Sequence, residues 1–328
     1  MGILYLSNDD VRGLLDLGKA IETVETALRD HGAGRVGWST PEDLAVKPEA
    51  GWQYWVTGCA LESVPFAGFR FRAIKAAGGS SDPSRLPQGP RRILILSDRE
   101  GGEVVAIMDE DWCHSVRTGA AATVACKNLA RQGAGVFAVL GAGDTARATL
   151  PVMTQAFDLK EVRVLSRRPE TRTAYARELG AELNLNIIPV DTPQKALQGA
   201  DLIVSATTTG TPFIKEQWIE PGAFVYSIGK HQELEDSAYK DIGKLIVDSW
   251  EYCKKKSDIE RMLQEGFLTR DDVYAELPDI LAGKTKGREN NEERIFMRAI
   301  GLVNQDVALA AWLYERAIEA GVGTRLPY

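Results

Sequence analysis

The stretch "VLGAGDTARATL", residues 139–150, decides how the second half of this 328-residue chain folds. An apolar run, Val136 to Leu140, leads into Gly141-Ala142-Gly143, and helix-compatible residues begin at Asp144. Gly141 permits a tight turn, and Gly143 lets a pyrophosphate approach bare backbone. Ala146 keeps the following helix close to the sheet, with the helix N-terminus facing the phosphates. Alone, a Gly-x-Gly-x-x-Ala pattern is weak evidence, because glycine serves any bend; its surroundings give it weight. Here apolar segments recur at 162–166, 187–190, 201–207, 223–229 and 244–249, and the intervening "ETRTAYARELG" (170–180) reads as helix. With 135–140 they make about six strands, the number in a full dinucleotide-binding sheet. Buried parallel strands read as continuous apolar runs, and these do.

The second strand of that series points to the coenzyme. It ends Leu165-Ser166-Arg167-Arg168, about 25 residues past the loop, where an NAD site normally places an acid on the ribose 2′-hydroxyl. A hydroxyl and two guanidiniums suit a 2′-phosphate instead, so NADP(H) is expected ahead of NAD(H). Gly141, Gly143, Asp144, Thr145 and Ala146 are the expected pyrophosphate loop, and Ser166, Arg167 and Arg168 the expected 2′-phosphate site. Thr207 to Thr209 and Ser227-Ile228-Gly229, at the ends of later strands, are expected to line the nicotinamide.

Working outward toward the N-terminus, the rhythm changes. Asp16 reads as an N-cap before Leu17, Ala20, Ile21, Val24, Ala27 and Leu28 at helical spacing. Then "WQYWVTG" (52–58), "FAGFRFRA" (66–73), "RRILILSD" (91–98) and "EVVAIMD" (103–109) alternate as strands, with Arg99–Gly102 as a hairpin turn. With no helix between them, they predict a mostly antiparallel sheet carrying a packed helix. "WCHSVRTGAAATVACKNLA" (112–130) is helical. The last helix, Gln305 to Ala320, follows Asn304 as its expected cap. The expected class is therefore α/β, a Rossmann-type doubly wound parallel sheet plus a mostly antiparallel α+β domain. The boundaries are drawn at 1–115 joined by 305–328, and at 116–304. The loop "GGSSDPSRLPQGP" (78–90) reads equally as part of a substrate mouth or as a hairpin tip.

Composition narrows the functions. A net charge of −7 with no basic stripe argues against nucleic acid. No apolar run approaches a membrane span. Cys59, Cys113, Cys126 and Cys253 are scattered, as are His31, His114 and His231, so no metal site is expected, and reduced thiols suggest a cytoplasmic protein. A serine-hydrolase elbow is missing.

Several ordered motifs together resemble the ornithine cyclodeaminase/μ-crystallin family, nearly end to end. They are "GGEVVAIMDEDWCHSVRTGAAATVACKNLA", "VLGAGDTARA", "ATTTGTPFI" with "WIEPGAFVYSIG", and "LPDILAGKTKGR" with "IGLVNQDVALAAWLYERA". The resemblance implies a homodimer joined through the N-terminal domain and an amino or imino acid as substrate. Family members include cyclodeaminases, amino-acid dehydrogenases and ketimine reductases. Arg117 in "VRTGA" matches the family arginine that holds the substrate carboxylate. The family's strand lysine falls on Arg70, which keeps the charge but cannot donate a proton. The arginine expected near "STPEDLAV" is replaced by Glu42 and Asp43. The family's Gly-x-Asp after "YSIG" is also missing, with Lys230 and His231 in that neighbourhood; Lys230 is the expected proton donor if one is needed. A plain reductase needs fewer groups than a cyclodeaminase, so the expected activity is NADP-dependent hydride transfer on C=N/CH–NH bonds. A cyclodeaminase, or a non-catalytic NADPH-binding protein of the μ-crystallin kind, remains the alternative.

Overall fold

The computed structural model describes residues 2–39, 52–75, 92–229 and 231–327. Lys230, Glu42, Asp43 and the 78–90 loop lie outside the described residues. The chain divides into two compact units, Met1–Arg117 with Leu302–Tyr328, and Thr118–Gly301. The boundary at 117/118 falls within one helix, Asp111–Leu129.

The strands of the first unit's N-terminal part are β1 (Ile3–Leu6), β2 (Val36–Trp38), β3 (Trp52–Leu61), β4 (Phe66–Lys75), β5 (Arg92–Asp98) and β6 (Val104–Asp109). The second unit supplies β7 (Val136–Leu140), β8 (Glu161–Leu165), β9 (Ile187–Val190), β10 (Leu202–Ser205) and β11 (Phe224–Ser227). It continues with β12 (Lys244–Val247), β13 (Val273–Glu276) and β14 (Ile295–Arg298), and β15 (Thr324–Leu326) returns to the first unit.

In the first unit a seven-stranded sheet runs β15-β1-β6-β5-β4-β3-β2, antiparallel except where β1 meets β6. The helices Leu17–Gly32 and Val303–Ala320 pack on each other, and the second also packs on β3, β4 and β5. That approach is close: a Cβ on Gly68 would sit 2.6 Å from Val307 Cγ2. Asp16 caps the first helix as expected, accepting the Lys19 N–H at 2.8 Å. Asn304 is not a cap. The last helix starts at Val303 after Leu302, and buried Asn304 donates its side-chain amide to the Ala27 carbonyl at 2.9 Å.

In the second unit an eight-stranded, wholly parallel sheet runs β13-β12-β14-β11-β10-β7-β8-β9. The expected fold class therefore holds: a parallel dinucleotide-type sheet with a separate, mostly antiparallel one. The core strands β10 and β11 are buried at every residue, as their apolar runs predict. The strand order reverses between β7 and β10, a switch point that opens a crevice at the carboxyl ends of the strands. The sheet has two strands more than the apolar runs gave, and one of them, β14, inserts between β11 and β12.

Candidate functional site

At the switch point lies a cleft of about 660 Å³, lined by Leu140–Gly143, Leu165–Arg168, Thr171, Asp191, Pro193, Ala206–Thr209 and Phe213. The two glycines of the loop are there for different reasons. Gly141 has φ +113°, and a Cβ would lie 2.6 Å from the Ala206 carbonyl oxygen, so the fold itself demands glycine. Gly143 has φ −85° with nothing within 4 Å of where a Cβ would be, so the chain alone does not require it. Gly143 is also the N-cap of the Asp144–Met153 helix and offers no side-chain cap, which leaves that helix's first amides to an outside acceptor. A bare backbone, open space above it and unsatisfied donors fit a dinucleotide pyrophosphate.

Asp144 and Thr145 open the helix beside the cleft without lining it. Ala146 is fully buried, and its carbonyl accepts the Tyr175 hydroxyl at 3.0 Å, so its part is packing. Ser166 Oγ lies 2.6 Å from Thr171 Oγ1, while Arg172 donates to the Ser166 carbonyl at 2.9 Å, fixing the end of β8. Arg167 is exposed at the cleft. Arg168 makes only a solvent-exposed 3.9 Å pairing with Glu170, worth little. No acid occupies the end of β8.

Ser227, Ile228 and Gly229 are not among the lining residues. Ser227 Oγ donates to Glu233 Oε2 at 2.7 Å and the Gly229 N–H to the same oxygen at 3.2 Å. Glu233 Oε1 takes the Thr207 N–H at 2.8 Å and the Thr207 hydroxyl at 2.6 Å. Glu233, 1% exposed, thus ties the ends of β10 and β11 together and sets the start of the cleft-lining Thr207-Thr208-Thr209 segment. Local patterning assigns this residue no role. Its signal was an acid immediately before the apolar Leu234, six residues beyond the end of β11. His231 is exposed.

In the first unit Arg70 and Arg117 do come together, around an acid that the sequence reading missed. Asp306 is fully buried on the last helix; its Oδ2 accepts Arg70 Nη1 at 2.5 Å and its Oδ1 accepts Arg117 Nε at 2.5 Å. Arg70 also lies 3.4 Å from Glu110, and Arg117 Nη2 lies 2.8 Å from His114 Nδ1. Burial alone would raise the Asp306 carboxyl, but Arg117 and Arg70 outweigh it and hold it well below the usual range. Burial, reinforced by the Asp306 charge and only partly countered by Arg70, pushes Glu110 up to about 8. Burial and then Arg117 hold His114 well below the ordinary histidine value. At neutral pH the cluster is therefore two guanidinium cations, one carboxylate, a protonated Glu110 and a neutral His114: a net single positive charge in a buried place. Glu110, His114 and Asp306 also approach one another within 4.8 Å, the spacing of metal ligands. However, Asp306 is already shared by two guanidiniums whose charges oppose a cation, and the surplus charge suits an anion instead.

Fold and cleft define a two-unit protein of the dinucleotide-binding class. The chain belongs to the ornithine cyclodeaminase/mu-crystallin family, whose pattern matches residues 4–321. A Δ1-pyrroline-2-carboxylate reductase of Bacillus cereus is 27% identical over 99% of this chain and 100% of its own length. Among solved structures, the Thermococcus litoralis Δ1-pyrroline-2-carboxylate reductase in complex with NADH and L-proline superposes with a TM-score of 0.91. It is 28% identical and covers 99% of this chain and 100% of that one. An archaeal alanine dehydrogenase dimer with bound NAD gives 0.90 at 27% identity, with full coverage of both chains.

Proposed function

We propose that the chain is an NAD(P)-dependent oxidoreductase that interconverts an imino acid and the corresponding amino acid. In the reductive direction the C=N bond gains a hydride at carbon and a proton at nitrogen, and NAD(P)H becomes NAD(P)⁺. The observation that carries the reading is the cleft at Gly141–Gly143, open above Gly143 and lined by Arg167 and Arg168, with Asp191 as its one acid. The named activities of the relatives, reduction of a cyclic imino acid and oxidation of an amino acid, support the same chemistry.

When bound, the nicotinamide coenzyme supplies or accepts the hydride. The chain's own residues do the rest. The Gly143 backbone and the first amides of the Asp144–Met153 helix hold the pyrophosphate. Ser166, Arg167 and Arg168 face a 2′-phosphate, which favours NADP(H), with NAD(H) accepted more weakly. Glu233 fixes Thr207, and with it the wall of the cleft. Arg117 and Arg70, sharing Asp306 with one positive charge left over, take the substrate carboxylate, and the neutral His114 adds no competing charge. A carboxylate held in one orientation supplies much of the acceleration hydride transfer needs. In the Ser227–Glu233 segment the one described carboxylate is committed to four donors, which leaves ammonia loss without an acid there and favours a reductase over a cyclodeaminase.

We also assign a homodimer to the face of the seven-stranded sheet opposite the Val303–Ala320 helix. Phe69 and Phe71 there are 49% and 40% exposed, Val56 lies across from Phe71, and Tyr54 stacks on it at 5.9 Å. Four free, buried cysteines fit a reducing, cytoplasmic setting. Calorimetry with NADPH and NADH, followed by a coenzyme-oxidation screen of cyclic imines and of 2-oxo acids with amines, tests the function. Binding followed by turnover is expected. Failure to associate with either coenzyme overturns the reading.

A further inference from the structure

The sheet around Arg70 carries a further arginine that pairs with no acid among the described residues. Arg72 follows two residues after Arg70 on β4, so both project from the same face, while Phe69 and Phe71 occupy the other. In the β4–β5 register Arg72 stands directly opposite Arg92. Like charges so placed repel, and a sheet tolerates them only at some gain elsewhere. Arg92 has an acid of its own, Asp111, at 2.9 Å. Arg72 has none among the described residues. Its Nε is buried without a hydrogen-bond partner, and its guanidinium is steadied only by the Trp55 ring, 5.0 Å from the centroid.

Count the charges on this face. Arg70, Arg72, Arg92 and Arg117 are four cations; Asp306 and Asp111 are two anions; Glu110 is protonated at neutral pH. Asp109, in register with Ile93 on the opposite row of the sheet, is a third acid, and its charge meets Arg92. Among the described residues, none of these acids pairs with Arg72, and the carboxylate assigned to Arg70 and Arg117 leaves it so. Burial, then Arg70, Arg92 and Arg117 in that order, pull Arg72 down to about 10, with Asp306 opposing them in part.

We propose that Arg72, backed by Arg92, is a second anion subsite beside the Arg70/Arg117 clamp, and that the substrate is an imino or amino acid carrying two acidic groups. The inference rests on the reading of this face as the carboxylate site, and it names the substrate class that reading leaves open. Arg72 determines specificity without touching the reacting C=N bond. The second acid group gives Arg72 the anion that no described residue supplies, and its charge-assisted hydrogen bonds add affinity that a monocarboxylic substrate cannot gain. An aliphatic monoacid of equal length leaves Arg72 uncompensated and is disfavoured, as expected for a site built to bind a polar group that the ligand lacks.

The test uses the full chain saturated with coenzyme and reads binding before turnover. Succinate and glutarate are compared with butyrate and pentanoate by calorimetry, with Arg72→Met and Arg72→Lys alongside. Wild type is expected to bind the diacids at least about thirtyfold more tightly, the size of one charge-assisted hydrogen bond. Arg72→Met should erase that ratio while leaving monoacid affinity within about threefold, and Arg72→Lys should restore part of it. Turnover should follow the same order for imines of oxaloacetate or 2-oxoglutarate against imines of pyruvate or 2-oxobutyrate. Equal binding of mono- and diacids by wild type overturns the subsite, even if monocarboxylic imines are reduced well and the proposed function stands. A strong diacid preference that survives in Arg72→Met overturns the role of Arg72. Diacid selectivity without reduction of any imine supports the subsite and defeats the oxidoreductase reading instead.

Discussion

The cleft at β7–β10 and the charged cluster around Asp306 are built on opposite principles. The cleft is made of backbone: two glycines, an uncapped helix start and the ends of parallel strands, all open to a ligand. The cluster is made of side chains from four segments, closed and largely neutralised from within. A backbone site tolerates changes in its side chains and fails when its geometry changes. A side-chain site does the reverse. On the proposed reading the cleft is ready for a polyanion before it arrives, whereas the cluster is held one charge short of balance.

The sharpest way to break this contrast is Asp306→Ala. It strips two buried guanidiniums of their shared partner and should cost about 3–5 kcal/mol of stability in urea denaturation, whereas the exposed Arg167→Ala should stay within about 0.5 kcal/mol. A smaller Asp306 penalty, under about 1 kcal/mol, would mean the cluster is not closed from within. Next in size, Gly141→Ala forces a positive φ on alanine against the Ala206 carbonyl and should cost about 1–3 kcal/mol. Gly143→Ala should leave the melting temperature unchanged and weaken coenzyme binding about tenfold or more, because only the ligand needs that space. Equal loss of stability in the two glycine variants would remove the distinction between them. Arg167→Ser should lower NADPH affinity about tenfold and leave NADH affinity unchanged.

The smallest effect is one of pH. Glu110 ionises as pH rises through about 8, placing a new negative charge beside Arg70. Affinity for a carboxylate ligand should therefore be flat below that pH and fall about three- to tenfold above it. In Glu110→Gln that fall should vanish. Folding carries the same sign: a carboxyl raised from 4.5 to about 8 binds its proton more tightly when folded. Its contribution to stability therefore declines across that interval as pH rises.

Legibility in the sequence follows the same division. The glycine loop, the strand after it and the buried apolar runs are local patterns, and the parallel sheet could be read from them. Arg70 and Arg117 were legible as cations on a strand and a helix. Their partner was not, because Asp306 lies 236 residues from one and 189 from the other, and nothing local marks it. Asn304 shows how local reading fails: asparagine is favoured at helix caps, yet here its amide reaches the Ala27 carbonyl, 277 residues away. Glu233 escaped notice because a buried acid is recognisable only once its donors, from two other strands, are in place. β13 and β14 are no shorter than β9 to β12, but VYAE ends in an acid and IFMR lies between Arg294 and its own Arg298, so neither makes a continuous apolar run.

The placement of β14 bears on how the protein is made. Because that strand wedges between β11 and β12, the nucleotide sheet stays split until residues 295–298 have been synthesised. The first unit waits longer still, for the Val303–Ala320 helix that carries Asp306. Two domains that look sequential in the gene must therefore mature almost together. Until then the nascent chain exposes unpaired strand edges, and Arg70 and Arg117 lack the carboxylate they share in the folded unit, the kind of interval in which a chain is prone to aggregate.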